Sequence, residues 1–121
     1  MNIHESAEDY LEAILRLREQ KGYVRSVDIA AMLGVTKPSV SFAMKRLREN
    51  GYIAMGEDNL ITLTETGAQI ARRVYERHKT LVRYLISIGV SEETAREDAC
   101  KIEHDISQET FEALRNQLLK G

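Results

Sequence analysis

The sequence predicts a mainly α-helical protein that opens on a winged helix-turn-helix and continues into further helices. Three observations carry this expectation. Apolar residues recur at helical spacing through most of the 121 residues. Gly34 separates two such segments, where a tight turn is needed. Between residues 52 and 63 the texture changes once, to short runs of strand-forming residues.

Taken in order, Ser6 is expected to cap a first helix whose apolar stripe is Tyr10, Leu11, Ile14, Leu15 and Leu17, ended by Gly22. Ser26 is expected to cap a second, short helix from Val27 to Leu33, with Ile29, Ala30 and Leu33 facing inward. After Gly34-Val35, Thr36 caps a third helix running to about Asn50, with Pro38 in the first turn, where a missing N–H costs little. Val40, Met44 and Leu47 form its buried side. Gly51 closes it. Tyr52 to Gly56 and Leu60 to Leu63, joined by Glu57-Asp58-Asn59, read as a β-hairpin with a polar tip. Thr64 begins a long fourth helix to about Ile88, striped by Ile70, Val74, Leu81, Leu85 and Ile88. Gly89 stops it, Ser91 caps a fifth helix to about His104 or Ile106, and Ser107 caps a last one to about Leu119. The expected division is 1–63 and 64–121.

Composition narrows the function classes. With 43% hydrophobic and 30% charged residues the chain is globular rather than disordered. No apolar run approaches the ~20 residues that cross a bilayer, and no signal peptide opens it, so a cytoplasmic protein without a membrane partner is expected. A net charge of −2 does not suit a generic nucleic-acid coat. The charge is uneven, however. Residues 36–56 carry Lys37, Lys45, Arg46 and Arg48 against Glu49 alone, whereas residues 89–121 carry eight acids against four bases. A local basic face binds phosphate even on a mildly acidic chain.

That basic face lies where a winged helix-turn-helix reads DNA. The second helix of the pair enters the major groove and the wing touches the backbone or minor groove. The candidate DNA-binding residues are therefore Thr36, Lys37, Pro38, Ser39, Ser41, Phe42, Lys45 and Arg46. Amides, hydroxyls and bases hold phosphates, while serines and Phe42 face base edges or a thymine methyl. A Gly-rich phosphate loop, a His-Glu-x-x-His pair and a nucleophile with a partnered base are all missing, so neither an enzyme nor a small-molecule substrate is expected.

The other chemically loaded stretch is Asp98-Ala-Cys-Lys-Ile-Glu-His104. Cys100, Glu103 and His104 stand at i, i+3 and i+4, on one face of a helix, and offer a thiolate, a carboxylate and an imidazole to a divalent metal. Asp9 and Glu12 form a second pair at i, i+3 upstream, and His78 is a further candidate in mid-chain. Each has a blander reading: first-turn acids favour the helix dipole without binding anything, a lone histidine is usually packed, and a lone cysteine beside Ala99 is ordinary core. One cysteine also forms no internal disulfide. A winged-helix regulator that senses thiol redox through Cys100, instead of metal, is the alternative function.

Together these motifs resemble a known family. Glu8-Asp-Tyr-Leu-Glu12, Asp28-Ile-Ala30, Lys37-Pro-Ser-Val-Ser41, Leu63-Thr-Glu-Thr-Gly67, Arg77-His78 and Cys100-Lys-Ile-Glu-His104 resemble the metal-dependent repressors of the diphtheria-toxin-repressor class, and look most like its short, manganese-responsive branch. The resemblance implies a homodimer whose C-terminal helices dimerise, without the SH3-like domain of longer members, and which binds an operator in double-stranded DNA. It implies metal ligands at Asp9, Glu12, His78, Glu103 and His104, so that metal joins the first helix to the fourth and fifth. Cys100 is the departure, since short manganese-responsive members often have glutamate there and iron-responsive members cysteine. The latter place methionine where this chain has Asp9. Val82 and Arg96 stand where longer members have ancillary ligands, so a second site of that kind is not expected. The mixed donor set makes Mn²⁺ or Fe²⁺ the expected effector, with Zn²⁺, Co²⁺ and Ni²⁺ as further ions for the purified protein.

Overall fold

The structure is a computed structural model that describes residues 5–120. Its elements are α1 (Glu5–Lys21), α2 (Ser26–Leu33), α3 (Lys37–Glu49), β1 (Ile53–Met55), β2 (Ile61–Leu63), α4 (Glu65–Ser87), α5 (Glu92–Ile102) and α6 (Gln108–Lys120). By packing they fall into two compact units, one ending at Arg72 and one beginning at Arg73.

The first unit is built on an apolar core. Leu11, Ile14 and Leu17 of α1 meet Ile29 and Ala30 of α2, Val40, Met44 and Leu47 of α3, and Ile53 and Ile61 of the hairpin. α1 and α3 contribute residues three or four apart, which is why their stripes could be read from spacing. Two expected caps are displaced. Ser6 lies inside α1, because the helix already includes Glu5. Ser26 lies inside α2, and Arg25 is the cap residue: its N–H donates to the Asp28 carboxylate at 3.0 Å. Asp28 also receives the Lys21 ammonium at 2.7 Å, which pins the end of α1 to the start of α2 and holds the Asp28 carboxyl below its usual range.

The turn and the recognition helix follow the expectation. Gly34 adopts φ +66 and closes α2 through a bond from its N–H to the Ala30 carbonyl, a left-handed conformation in which a side chain would be strained. The Thr36 hydroxyl accepts the Ser39 N–H at 3.3 Å and caps α3. In the wing, Ile53 pairs with Leu63 and Met55 with Ile61 in antiparallel register. Ile61 also donates its N–H to the Val24 carbonyl at 2.8 Å. Thr64 then joins wing to helix, its hydroxyl donating to the Gly51 carbonyl at 2.6 Å and accepting the Gly67 N–H at 3.2 Å. Gly67 is required there by space alone: a Cβ would lie 1.9 Å from the Tyr52 carbonyl oxygen.

In the second unit Val74 and Leu81 of α4, Ala95 and Ala99 of α5 and Phe111 of α6 are buried. Ser91 caps α5 by accepting the Thr94 N–H, and Ser107 caps α6 by accepting that of Thr110. The expected stripe of α4 does not stay buried to its end, since Ile88 is 60% exposed. Among the described residues no helix is long and apolar enough to cross a membrane.

Candidate metal centre and nucleic-acid interface

The metal candidates of the second unit converge on one carboxylate. Glu103 is 2% exposed overall. Its Oε2 lies 3.0 Å from Nδ1 of His78, whose side chain is 12% exposed. The Cys100 sulfur approaches the same Nδ1 at 3.8 Å from the solvent side. One donor atom from each of His78, Cys100 and Glu103 falls within 4.8 Å of the others, close enough for a single ion.

The expected end of α5 is corrected by the fold. The helix ends at Ile102, so Glu103 is its terminal cap and His104 lies in the turn beyond, rather than both extending the helix. His104 consequently addresses the other oxygen of Glu103, with Nε2 3.4 Å from Oε1. That oxygen is buried and receives no hydrogen bond among the described residues. An oriented carboxylate oxygen left without a donor in a closed site suits a cation, so the residues fit a metal.

Electrostatics bear on the same point. The Cys100 sulfur and then the Glu103 carboxylate favour the imidazolium of His78, outweighing desolvation and raising its pKa from 6.5 to about 10. An ion bound at this nitrogen would have to displace that proton. Asp9, partly buried, and Glu12, buried, lie on α1 of the first unit.

One residue escaped the sequence reading of the site. Arg77, beside His78 on α4, donates Nη1 to the carbonyls of Glu103 and Ile106, each at 3.1 Å, and Nη2 to Gln108 Oε1 at 2.8 Å. Its guanidinium also stands 5.4 Å from the Phe111 ring centroid. Arginine at that spacing looks like a solvated helix position, and only the turn folding back onto α4 reveals its partners.

The DNA-reading candidates are gathered on the outside of the first unit. Thr36, Lys37, Pro38, Ser39, Ser41, Phe42, Lys45 and Arg46 are all exposed along α3 and its cap. No described carboxylate pairs with Lys37, Lys45 or Arg46. Phe42 is 64% exposed, with the Arg46 guanidinium 5.7 Å from its ring centroid. Bare cations around an exposed aromatic on a capped helix make a surface suited to a polyanion with base edges.

Comparison with known proteins decides the family. Residues 2–59 match the model of the iron dependent repressor N-terminal DNA binding domain, and residues 64–120 match that of its metal binding and dimerisation domain. The chain belongs to the iron dependent repressor family. It is 41% identical over 111 residues to the transcriptional regulator MntR of Escherichia coli O157:H7, covering 92% of this chain and 72% of that protein. Among solved structures, IdeR of T. acidophilum is 30% identical with a TM-score of 0.80, over 97% of this chain and 55% of that one. A manganese-dependent transcriptional repressor solved with manganese is 26% identical with a TM-score of 0.84, over 93% of this chain and 52% of that one. As a member of this family the chain is a DNA-binding transcriptional regulator under the control of a divalent metal, and not an enzyme.

Proposed function

We propose that the protein is a homodimeric repressor of metal-ion homeostasis genes, activated by Mn²⁺ or Fe²⁺. The carrying observation is the convergence of His78 and Cys100 on Glu103, whose second oxygen is left to His104. His78, Cys100, Glu103 and His104 would hold the ion, with Asp9 and Glu12 joined to them on the sequence resemblance. The bound ion supplies positive charge and fixed directionality in place of the His78 proton. Carboxylates favour Mn²⁺, whereas a thiolate and imidazoles favour Fe²⁺ and the later divalent ions. The solved repressor named for manganese supports the first ion, and the sulfur of Cys100 supports the second.

Residues 1–63 would read the operator and residues 64–121 would carry the effector and the dimer contact. In a two-fold dimer the two α3 helices must meet successive major grooves about one helical turn apart. The metal-bound state then gains affinity to the extent that it favours that spacing. The residues of this chain do the rest: Lys37, Lys45 and Arg46 take phosphates, and the exposed hydroxyls and Phe42 face the bases.

The test is fluorescence anisotropy with operator-bearing duplex DNA, after chelation and then with Mn²⁺ or Fe²⁺ restored without oxygen. A metal-dependent gain in affinity that disappears in His104→Ala is the expected result. No gain with either ion refutes metal activation. Because Cys100 is exposed, a thiol-responsive regulator is the second reading; alkylation that changes DNA binding in the metal-free protein would favour it.

A further inference from the structure

We propose that Arg77 is the positioning residue of the metal centre, holding Glu103 by its backbone while the neighbouring His78 holds it by its side chain. This deepens the assignment of Glu103 as a ligand and rests on it.

The need arises at the end of α5. Helices expose their last carbonyls, and many use a left-handed glycine to turn and satisfy them. α5 has none: Glu103 itself is the cap, in right-handed helical conformation. The Asp105 N–H closes locally on the Ile102 carbonyl at 2.9 Å, and Arg77 takes the carbonyls of Glu103 and Ile106 in the turn that follows. One Nη1 spans the carbonyls of Glu103 and Ile106, while Nη2 reaches Gln108 at the start of α6. Three acceptors on one planar guanidinium fix an orientation that a point-like ammonium does not.

The consequence falls on the carboxylate. Fixing the Glu103 carbonyl fixes its peptide plane, which limits the directions open to its Cα–Cβ bond. Oε2 then meets His78 and Oε1 turns toward His104. Arg77 and His78 are consecutive on α4, so a single stretch of helix sets both main chain and side chain of the central ligand. The Arg77 Nε is buried and without an acceptor among the described residues. A donor left unmet costs free energy. An apolar side chain against Phe111 would fill the space without that cost, but would not hold the two carbonyls.

The experiment is titration of the full metal-free chain with Co²⁺ in the absence of oxygen, reading affinity and the visible absorption of the bound ion, for the wild type, R77K and Q108A. Outer partners of metal ligands typically contribute about 10–100-fold in affinity. R77K is expected to lose affinity in that range and to shift the Co²⁺ bands while the metal-free protein stays folded by circular dichroism. Folded R77K with wild-type affinity and bands overturns the proposal. Should R77K fail to fold, Q108A decides: an altered spectrum supports the clamp, and wild-type affinity with an unchanged spectrum refutes it. E103Q separates the two levels, since wild-type Co²⁺ affinity in E103Q would refute Glu103 as a ligand, whatever Arg77 does.

Discussion

The two units differ in where they keep their cationic groups. Around Ile29, Val40 and Met44 the first unit is closed by apolar side chains, with the buried Glu12 of α1 as an exception, and the cations of α3 are turned outward. In the second unit a carboxylate, an imidazole and part of a guanidinium are folded inward beside Phe111 and Ala99. Burying apolar surface stabilises by itself, whereas burying Glu103 costs free energy unless a charge answers it. His78 and Arg77 supply part of that answer, and a divalent ion would supply more. The DNA-binding unit therefore rests on a mainly apolar core, while the second unit carries a polar interior whose His78 charge depends on pH.

That contrast can be broken at its apolar side first. Ile29→Ala removes a fully buried side chain from the α2 contact with α1 and α3. It should lower stability by about 2–5 kcal/mol, as core truncations do. Denaturant unfolding checks this, and a change below about 1 kcal/mol would mean that the first unit is not held by this packing.

The polar side is sharpened by pH. His78 must lose its proton to ligate, and in the metal-free protein its pKa is raised to about 10. Metal affinity should therefore climb by about tenfold per pH unit through the neutral range for this one proton. A His78→Gln variant should bind weakly with a flatter profile, which calorimetry or competition with a chelator would show. For the metal-free fold the sign is reversed. The charged His78 contributes stability that is fully present below 6.5 and is lost as pH rises toward about 10. A metal affinity independent of pH would remove His78 from the ligand set.

The smallest effect concerns the outward charge. Arg46→Ala should weaken DNA binding modestly and reduce the slope of log affinity against log salt by about one. Because Arg46 also covers the Phe42 ring, Phe42→Ala should weaken binding with the salt slope unchanged, since it removes an apolar contact and no charge. Equal slopes in the wild type and Arg46→Ala would place that cation away from the phosphates.

How much was legible follows from the range of the interactions. The order of helices, the Gly34 turn, the Thr36 cap and the hairpin were readable, because each depends on neighbours within a few residues. The misplaced caps show the limit even of local rules. Ser26 has the right chemistry, but Asp28 takes the Arg25 N–H and Lys21 together and shifts the start of α2 by one residue. At the candidate site the residue types were visible, yet their grouping was not. The helix was expected to run to His104 or Ile106, whereas it ends at Ile102, with His78 at one oxygen of Glu103 and His104 at the other.

By itself, then, the sequence determined what each segment is and which donors the chain owns, since periodicity, caps and residue chemistry are properties of neighbours and of side chains. Only the tertiary structure decided which donors meet. Arg77 and Glu103, twenty-six positions apart, become partners because α5 stops where it does and its end meets α4. Contacts at that separation depend on the packing of whole helices, and no local pattern encodes them.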